Sequence, residues 1–543
     1  MRMKLCWEGL KDRSAWENAG VKLPGFDYRQ MQARTEANPT WIHIGPGNIF
    51  RAFIAQIQQE LLNKGLTDTG IVAVSTHNHE IVDKVYKPFD NMSLLVSLLP
   101  DGSAEHEVIA SICHILRMGA DYPEEQELLK KMFRNPSLQI LSYTITEKGY
   151  ALRDLQGSFF PVVLRDLERG PESCAHAMSV TAALLLERFR AGGCPMAVVS
   201  MDNCAHNGER LRTSVVTIAE NWLQRGFVEP EFVTWLKNEE KVSFPWSMID
   251  KITPRPSQEL ANQLQARGFE NMGLIPIDSR TNSAPFVNAE KPQYLVVEDR
   301  FPNGRPPMEA AGVYMTDRET VNNTERMKVT TCLNPLHTTL AVYGCLLGYN
   351  SIAAEMRDAE LKALVEKIGY AEGLPVVVDP KVLSPRDFIH EVLTQRLPNP
   401  FIPDTPQRIA TDTSQKMAIR FGETIKSYLA REDMDVTTLT YIPLAIAGWI
   451  RYLLAVDDGG REMVCSSDPM LETLQTQLSG VTLGSPDSVV GKLEPILSNA
   501  TLFGTDLVAA GLAGKIKTMV ARMLTGPGAV RQTLKEYLQA GFA

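Results

Sequence analysis

The sequence predicts an α/β N-terminal half followed by a mainly α-helical C-terminal half. Three observations carry this. Short apolar runs alternate with helix-periodic segments between residues 41 and 200. The first of these runs stops in a GxG turn. From about residue 318 onward the pattern is mainly helical. Strands alternating with helices favour a parallel sheet covered on both faces.

The elements follow in order. Residues 1–40 are polar and irregular, with Pro24 and Gly25 in a turn-like stretch, and read as an N-terminal extension. Trp41-Ile42-His43-Ile44 reads as a buried strand entering a tight turn at Gly45-Pro46-Gly47-Asn48. Ile49, Phe53, Ile57 and Leu61 then recur every four residues, with Asn48 able to cap this helix and Gly65 able to end it. Gly70 to Ser75 is a second buried strand, completing a βαβ unit of about 30 residues. Residues 88–115 interrupt the rhythm as a β excursion. A helical stretch at 122–134 leads to a strand at 138–144, and a helix at 181–190 to a strand at 196–200. Tyr294 to Val297 is a short strand, and Pro302-Asn303-Gly304 a turn. Helices are expected at 319–347, 351–369, 386–396, 413–431, 438–455, 505–523 and 529–540, with Pro-rich breaks at 398–406.

Composition sets the class. The 543 residues are 44% hydrophobic and 22% charged, as in ordinary globular proteins. With 55 basic and 64 acidic residues, the formal charge of −9 argues against a general nucleic-acid binder. It leaves small anionic substrates open, because a pocket can be basic when the whole chain is not. No apolar run reaches the roughly 18 residues of a membrane span. The first twenty residues carry charges where a signal peptide would be apolar. The eight cysteines are scattered without a CxxC pair, which reads as reduced thiols in a cytoplasmic enzyme. The nine histidines show no HExxH or Cys/His cluster, so no metal site is expected. His77 and His79 read as surface loop residues.

Two constellations bear chemistry. The strand–GxG–helix start suits a dinucleotide, because glycines let the backbone approach a pyrophosphate at a helix N-terminus. The usual third glycine would fall at Phe50, so a plain strand-to-helix turn stands beside this reading. The second strand ends in Ser75-Thr76-His77-Asn78, without the acid that usually holds the ribose hydroxyls and without an arginine for a 2′-phosphate. NAD is the expected cofactor, with NADP not excluded. The second constellation is Lys328, Asn334 and His337. A lysine kept neutral because burial depresses its pKa, and so able to take a proton, an amide facing a developing alkoxide and a histidine holding a hydroxyl suit hydroxyl/carbonyl interconversion. On spacing alone, Asn334 as a helix cap before Pro335 and His337 as a core or surface histidine is the better reading.

Six ordered blocks, Gly45 to Ala52, Thr144 to Tyr150, Asp202-Asn203 with Asn207-Gly208, Ser247 to Pro254, Glu298-Asp299 and Arg408 to Lys416, together resemble the polyol-specific long-chain dehydrogenases, the mannitol dehydrogenase family. Gly45 to Ala52 is similar to its GxGxFxRA opening, with Ile49 for the phenylalanine. Thr144 to Tyr150 is similar to its TxTExGY block, and Asp202-Asn203 with Asn207-Gly208 to DNxxxNG. Ser247 to Pro254 is similar to SMVDRITP, with Lys251 for arginine. Glu298-Asp299 and Arg408 to Lys416 complete six ordered blocks between about 41 and 421. The resemblance implies a Rossmann-like dinucleotide-binding domain at 41–290 and a mainly helical substrate and catalytic domain at 291–543. It implies Lys328 as general acid/base, Asn203 and Asn334 as oxyanion hole, and Glu325 as proton relay. It implies that His337, Asp250, Arg408 and Lys416 bind substrate, and that Gly45, Gly47, Asn48, Ile49, Thr144, Thr146 and Glu147 lie along the cofactor.

The implied reaction is metal-independent hydride transfer between nicotinamide and a secondary alcohol carbon of a polyol or sugar acid. The GPGNIFRAF, FPWSMIDKITPRPS and CLNPLH segments are most like members acting on mannonate, which implies D-fructuronate + NADH to D-mannonate + NAD. Mannitol or another polyol as substrate, tagaturonate reduction, and a non-catalytic sugar-acid-binding or regulatory protein are the alternatives. The partner is then a small molecule, with no nucleic acid and no membrane, in a monomer or homodimer. One departure has a structural consequence: five residues, not four, separate Lys328 from Asn334, and Pro335 follows. An extra residue beside a proline is absorbed by a π-bulge or kink, so the spacing predicts an irregular helix between 328 and 337.

Overall fold

A computed structural model describes residues 2–119, 121–154, 156–278 and 281–539. It divides into two compact units, residues 2–99 with 103–322, and residues 100–102 with 323–539.

The first unit is built on a six-stranded, wholly parallel sheet. Its spatial order is Ile112–Arg117, Ile71–Ser75, Trp41–Ile44, Ile140–Tyr143, Met196–Ser200 and Val242–Ser243. In chain order this is 3-2-1-4-5-6, the doubly wound dinucleotide-binding arrangement. The four central strands are buried at every residue, which is why they read as unbroken apolar runs. Alternate side chains feed two cores. Ile42, Val72, Leu141 and Val198 pack under the helices Pro123–Arg134, Ala177–Arg190 and Asn207–Gln224. Trp41, Ile71, Ile140 and Val199 face the other side, against Phe53, Ile57 and Leu61.

Two expectations differ from this unit. Residues 2–40 are ordered rather than irregular: the helices Arg13–Asn18 and Tyr28–Ala37 flank the strand Val21–Lys22. That strand pairs parallel to Ala104–Ile109 in a second sheet with Ser93–Leu98 and Phe286–Glu290. Met3, Leu5, Trp16 and Met31 enter a third core with Val96, Val108 and Phe286, and Met3 forms a β-bridge to Phe269. The segment was unreadable because its strand has two residues and its apolar anchors stand singly. The excursion at 88–115 is also two things. Its hairpin belongs to the second sheet, but Ile112–Arg117 is the edge of the main one.

Strands continue past residue 290. Tyr294–Glu298 pairs with Ser247–Asp250 and Tyr314–Thr316, so the first unit runs to Asn322 rather than ending at 290.

The second unit is helical. Its centre is Asn334–Leu347, buried on nearly all sides, against Tyr441–Tyr452 and in turn Ala513–Met523. Tyr343 Oη donates to Leu444 O at 2.7 Å, and a Cβ on Gly448 would stand 2.5 Å from Tyr343 Cζ, so glycine permits the close approach. Glu355 is fully buried beside Gly344 with both carboxyl oxygens unpartnered, and burial pushes its carboxyl up to about 9. The expected 319–347 helix is three pieces: Arg318–Met327, a π-helical turn at Lys328–Cys332, and Asn334–Leu347. Short helices at Leu471–Gln477, Glu494–Leu497 and Ala500–Phe503 lie outside the expected set. Among the described residues no helix is long and apolar enough to cross a membrane.

Candidate active site

In the first unit the strand order of the sheet reverses between the parallel neighbours Trp41–Ile44 and Ile140–Tyr143. Ligands of such sheets bind at the carboxyl ends of the strands at this reversal. A cavity of about 460 Å³ lies there, lined by Gly45, Gly47, Ser75, His77, Thr144 and Thr146 among others.

Backbone demands fix the turn. Gly45 has φ +103°, and a Cβ there would fall 2.2 Å from Thr144 O, so no side chain fits. Gly47 differs: a Cβ there meets no protein atom within 4 Å. That open space over a helix start is what a pyrophosphate requires, so the residues present fit a dinucleotide. Gly47 O receives the Arg51 N–H at 3.2 Å, which makes Gly47 the helix cap. Asn48 lies inside the helix and accepts from Arg51 Nη2 at 2.8 Å, which corrects its reading as the cap.

The turn is tied from below. Thr144 Oγ1 donates to Gly45 O at 2.9 Å and meets His43 Nε2 at 2.9 Å, while His43 Nδ1 meets Ser142 Oγ at 2.7 Å. His43 is fully buried, stacked on Phe50 with ring centroids 4.3 Å apart. Burial pushes its pKa down to about 3, so the ring is neutral. Phe50, at the missing third glycine, therefore completes a packed ring pair.

Asp202 organises the facing loop, a role the sequence did not disclose. Its carboxylate accepts from Ile145 N at 2.8 Å, Thr146 N at 2.9 Å and Tyr150 Oη at 2.5 Å. Thr146 is held at φ +68°, a conformation that persists only where the surroundings impose it. Asn207 Nδ2 donates to Asp202 O at 3.0 Å and Ser247 O at 2.9 Å, and its Oδ1 accepts from Ser247 N at 3.0 Å. Asp202, Asn207 and Ser247 are thus one buried bracket. Asp250 is buried at the end of the strand this bracket holds, and Asn203 is exposed on the loop beside Asp202.

Of the expected cofactor contacts, Gly45, Gly47, Thr144 and Thr146 line the cavity. Asn48, Ile49 and Glu147 are not among its lining residues. Glu147 instead pairs with Arg210 at 2.8 Å, and Ile49 packs against the apolar core. Glu298, from the fifth block, accepts from Trp246 N at 3.0 Å and pairs with Arg318 at 3.0 Å, a structural role.

In the second unit the irregular helix is present where the spacing predicts it. Leu333 N donates to Lys328 O at 3.1 Å, five residues back, and Leu333 has φ −130° before the helix restarts at Asn334. Pro335 has no N–H for the next bond and its ring would crowd the Thr331 carbonyl, so the bulge forms there. Lys328 is buried, Glu325 is half-buried one turn earlier, and Asn334 and His337 stand one turn apart.

His337 Nε2 is buried without a hydrogen bond, 3.5 Å from Asp404 Oδ2. Burial lowers its pKa, Asp404 opposes this, and the guanidiniums of Arg420, Arg408 and Arg396 add to the lowering. A neutral ring with an unspent nitrogen is suited to a substrate hydroxyl. Arg408 pairs with Asp404, and Lys416 Nζ donates to Thr411 O. Asp404 and Arg420 were not foreseen. An acid four residues before Arg408 was the one available sign of the former.

Two family models match this chain in sequence: the mannitol dehydrogenase Rossmann domain over residues 39–310, and the mannitol dehydrogenase C-terminal domain over residues 320–524. The chain belongs to the mannitol dehydrogenase family. It is an oxidoreductase of that family. The D-mannonate oxidoreductase of Thermotoga maritima is 53% identical over 536 residues, covering 98% of this chain and 99% of that one. Among solved structures, D-sorbitol dehydrogenase in substrate-free form superposes with a TM-score of 0.76 at 26% identity, over 96% of this chain and 98% of that one. The Pseudomonas fluorescens mannitol 2-dehydrogenase ternary complex with NAD and D-mannitol gives 0.68 at 26% identity, over 99% of this chain and 100% of that one.

Proposed function

We propose that this family member interconverts D-fructuronate and D-mannonate with NAD(H), using Lys328 as the acid/base and no metal. The observation that carries the substrate is the 53% identity to a D-mannonate oxidoreductase over nearly the whole length of both chains. NAD is supported by the doubly wound sheet with its open Gly47 cradle and by the NAD-bound relative.

The Gly45–Gly47 turn, Thr144 and Thr146 would hold the dinucleotide, whose nicotinamide exchanges a hydride with the substrate carbon. The chain's own residues do the rest. In the reducing direction Lys328 Nζ releases a proton to the ketone oxygen, and in oxidation it takes that proton back. Asn334 and Asn203 donate amide N–H groups to the oxygen as it becomes an alkoxide. Asn334 also sits in the first turn of a 14-residue helix, whose positive end favours the same negative oxygen. Neutral His337 holds a substrate hydroxyl through Nε2, Asp250, Arg408 and Lys416 orient the chain of hydroxyls, and Glu325 passes protons to solvent.

Following NADH absorbance on a panel of ketouronates, ketoses, mannonate and mannitol tests this. D-fructuronate and D-mannonate are expected as best substrates. Lys328→Ala should lower kcat by about 10²–10⁴-fold while NADH still binds. Oxidation of mannitol with mannonate untouched would overturn the substrate, and an active Lys328→Ala would overturn the acid/base.

A further inference from the structure

Around His337 the second unit gathers four cations and few acids, and the cations are not equally engaged. Arg408 is paired with Asp404. Lys416 Nζ is turned onto the Thr411 carbonyl, with Ile409 O at 3.5 Å. Asp468, another nearby acid, is engaged by Ser414 N at 2.7 Å and Ser414 Oγ at 2.5 Å. Arg396 is buried and adds its charge to the field at His337.

Arg420 stands apart. It rises from the π-helical turn Ala418–Gly422, which packs against the Lys328–Cys332 turn. Its Nη1 donates to Thr338 Oγ1, on the residue next to His337. Beyond its backbone N–H to Lys416 O at 2.9 Å, its guanidinium makes no other hydrogen bond or ion pair among the described residues. Burial lowers its pKa to about 10 with no carboxylate opposing the shift. The residue is half-buried, and its Nε and Nη2 are not spent on a hydrogen bond among the described residues. A half-buried guanidinium without an acid is unfavourable by itself, and becomes favourable when an anion completes it. Its planar fork matches a carboxylate in two parallel hydrogen bonds.

We propose that Arg420 receives the substrate's carboxylate and is the residue that makes this site prefer sugar acids to neutral polyols. This rests on the sugar-acid reading above and deepens it. The carboxylate lies at the far end of the sugar acid from the reacting carbon. Arg420 therefore works as a remote anchor, binding alike in ground and transition states, and acts on KM more than on kcat.

The test compares D-mannonate with D-mannonamide, its neutral isostere, in the wild type, Arg420→Gln and Arg420→Lys. The ratio of the two kcat/KM values should fall about 10- to 150-fold in Arg420→Gln, the worth of hydrogen bonding to a charged group, mostly through KM. Arg420→Lys keeps the charge without the fork and should recover part of it. Equal losses on acid and amide, or a ratio unchanged in Arg420→Gln, would overturn the proposal. A wild type that turns over polyols and no sugar acid refutes the functional reading instead. In that event mannonate inhibition of polyol oxidation, abolished by Arg420→Gln, would still support the anchor, and its absence would overturn it. Melting temperature and NADH fluorescence quenching in each variant separate a folding defect from lost anchoring.

Discussion

Asp202→Asn is the most searching test of how the cofactor loop is held. The substitution keeps size and shape and removes only charge and one acceptor oxygen. In the native chain three donors converge on this carboxylate: Ile145 N at 2.8 Å and Tyr150 Oη at 2.5 Å on Oδ2, and Thr146 N at 2.9 Å on Oδ1. An asparagine can face only one of these sides with its oxygen. If it keeps Oδ2, its NH₂ points at Thr146 N–H, donor against donor. If it keeps Oδ1, it loses both Ile145 and Tyr150. Hydrogen bonds to a charged acceptor contribute about 1.5–3 kcal/mol each, and a buried donor left unmatched costs about 1–3 kcal/mol. With one bond lost at the least, plus an unmatched donor, the loop loses about 3 kcal/mol. Thr146, at φ +68°, is the residue that relaxes first. If that energy is what pre-orders the cofactor contacts, NADH affinity falls by about 10²-fold. NADH fluorescence titration reads the Kd and thermal unfolding reads the fold. A Kd within twofold of the wild type, with an unchanged melting temperature, would refute the claim that Asp202 shapes this loop.

Other outcomes follow from the same geometry. Gly45→Ala should melt at a lower temperature, because its Cβ would fall 2.2 Å from Thr144 O, whereas Gly47→Ala should melt like the wild type yet bind NADH more weakly. In urea unfolding across pH, His43 should contribute stability that is lost as pH falls below about 6.5. His43 titrates near 3 when folded but near 6.5 when unfolded, so the unfolded chain takes up the extra proton between these values. Its contribution to the slope approaches about 1.4 kcal/mol per pH unit, so the difference in stability between wild type and His43→Gln should change by about that much per unit in this range. Glu355 acts in the opposite direction: its folded value near 9 lies above the ordinary 4.5, so stability falls as pH rises between them. Glu355→Met should therefore gain stability over the wild type at pH 8 and lose that gain toward pH 4.5, as measured by the same titration.

How much was legible in the sequence varied with the range of the contacts involved. Trp41–Ile44 and Ile71–Ser75 were readable because strands buried on both faces need no partner to look apolar. The break at Lys328–Leu333 was readable because its cause, Pro335 and a residue count, is local. Ile112–Arg117 was hidden by Cys113 and His114 and merged into the preceding hairpin. Glu147 sits in a motif block, yet its partner Arg210 lies far along the chain. Asp202 stands in a motif block that says nothing of its role, and Arg420 had no local signature. Asp202 acts on residues more than fifty positions earlier, and Arg420 on Thr338. Motif blocks disclosed that these neighbourhoods mattered, and only three-dimensional pairing disclosed which atoms held them.

The strand Val21–Lys22 and the bridge from Met3 to Phe269 carry a consequence for biosynthesis. Residues 3–22 leave the ribosome before their partners and cannot settle until Ala104–Ile109, and finally Phe269 and Phe286–Glu290, have been made. At roughly 5–20 residues per second, Met3 waits on the order of ten to fifty seconds for its partner. During that interval Leu5, Trp16 and Met31 have no core to enter, and the nascent chain presents them to whatever chaperones attend its exit.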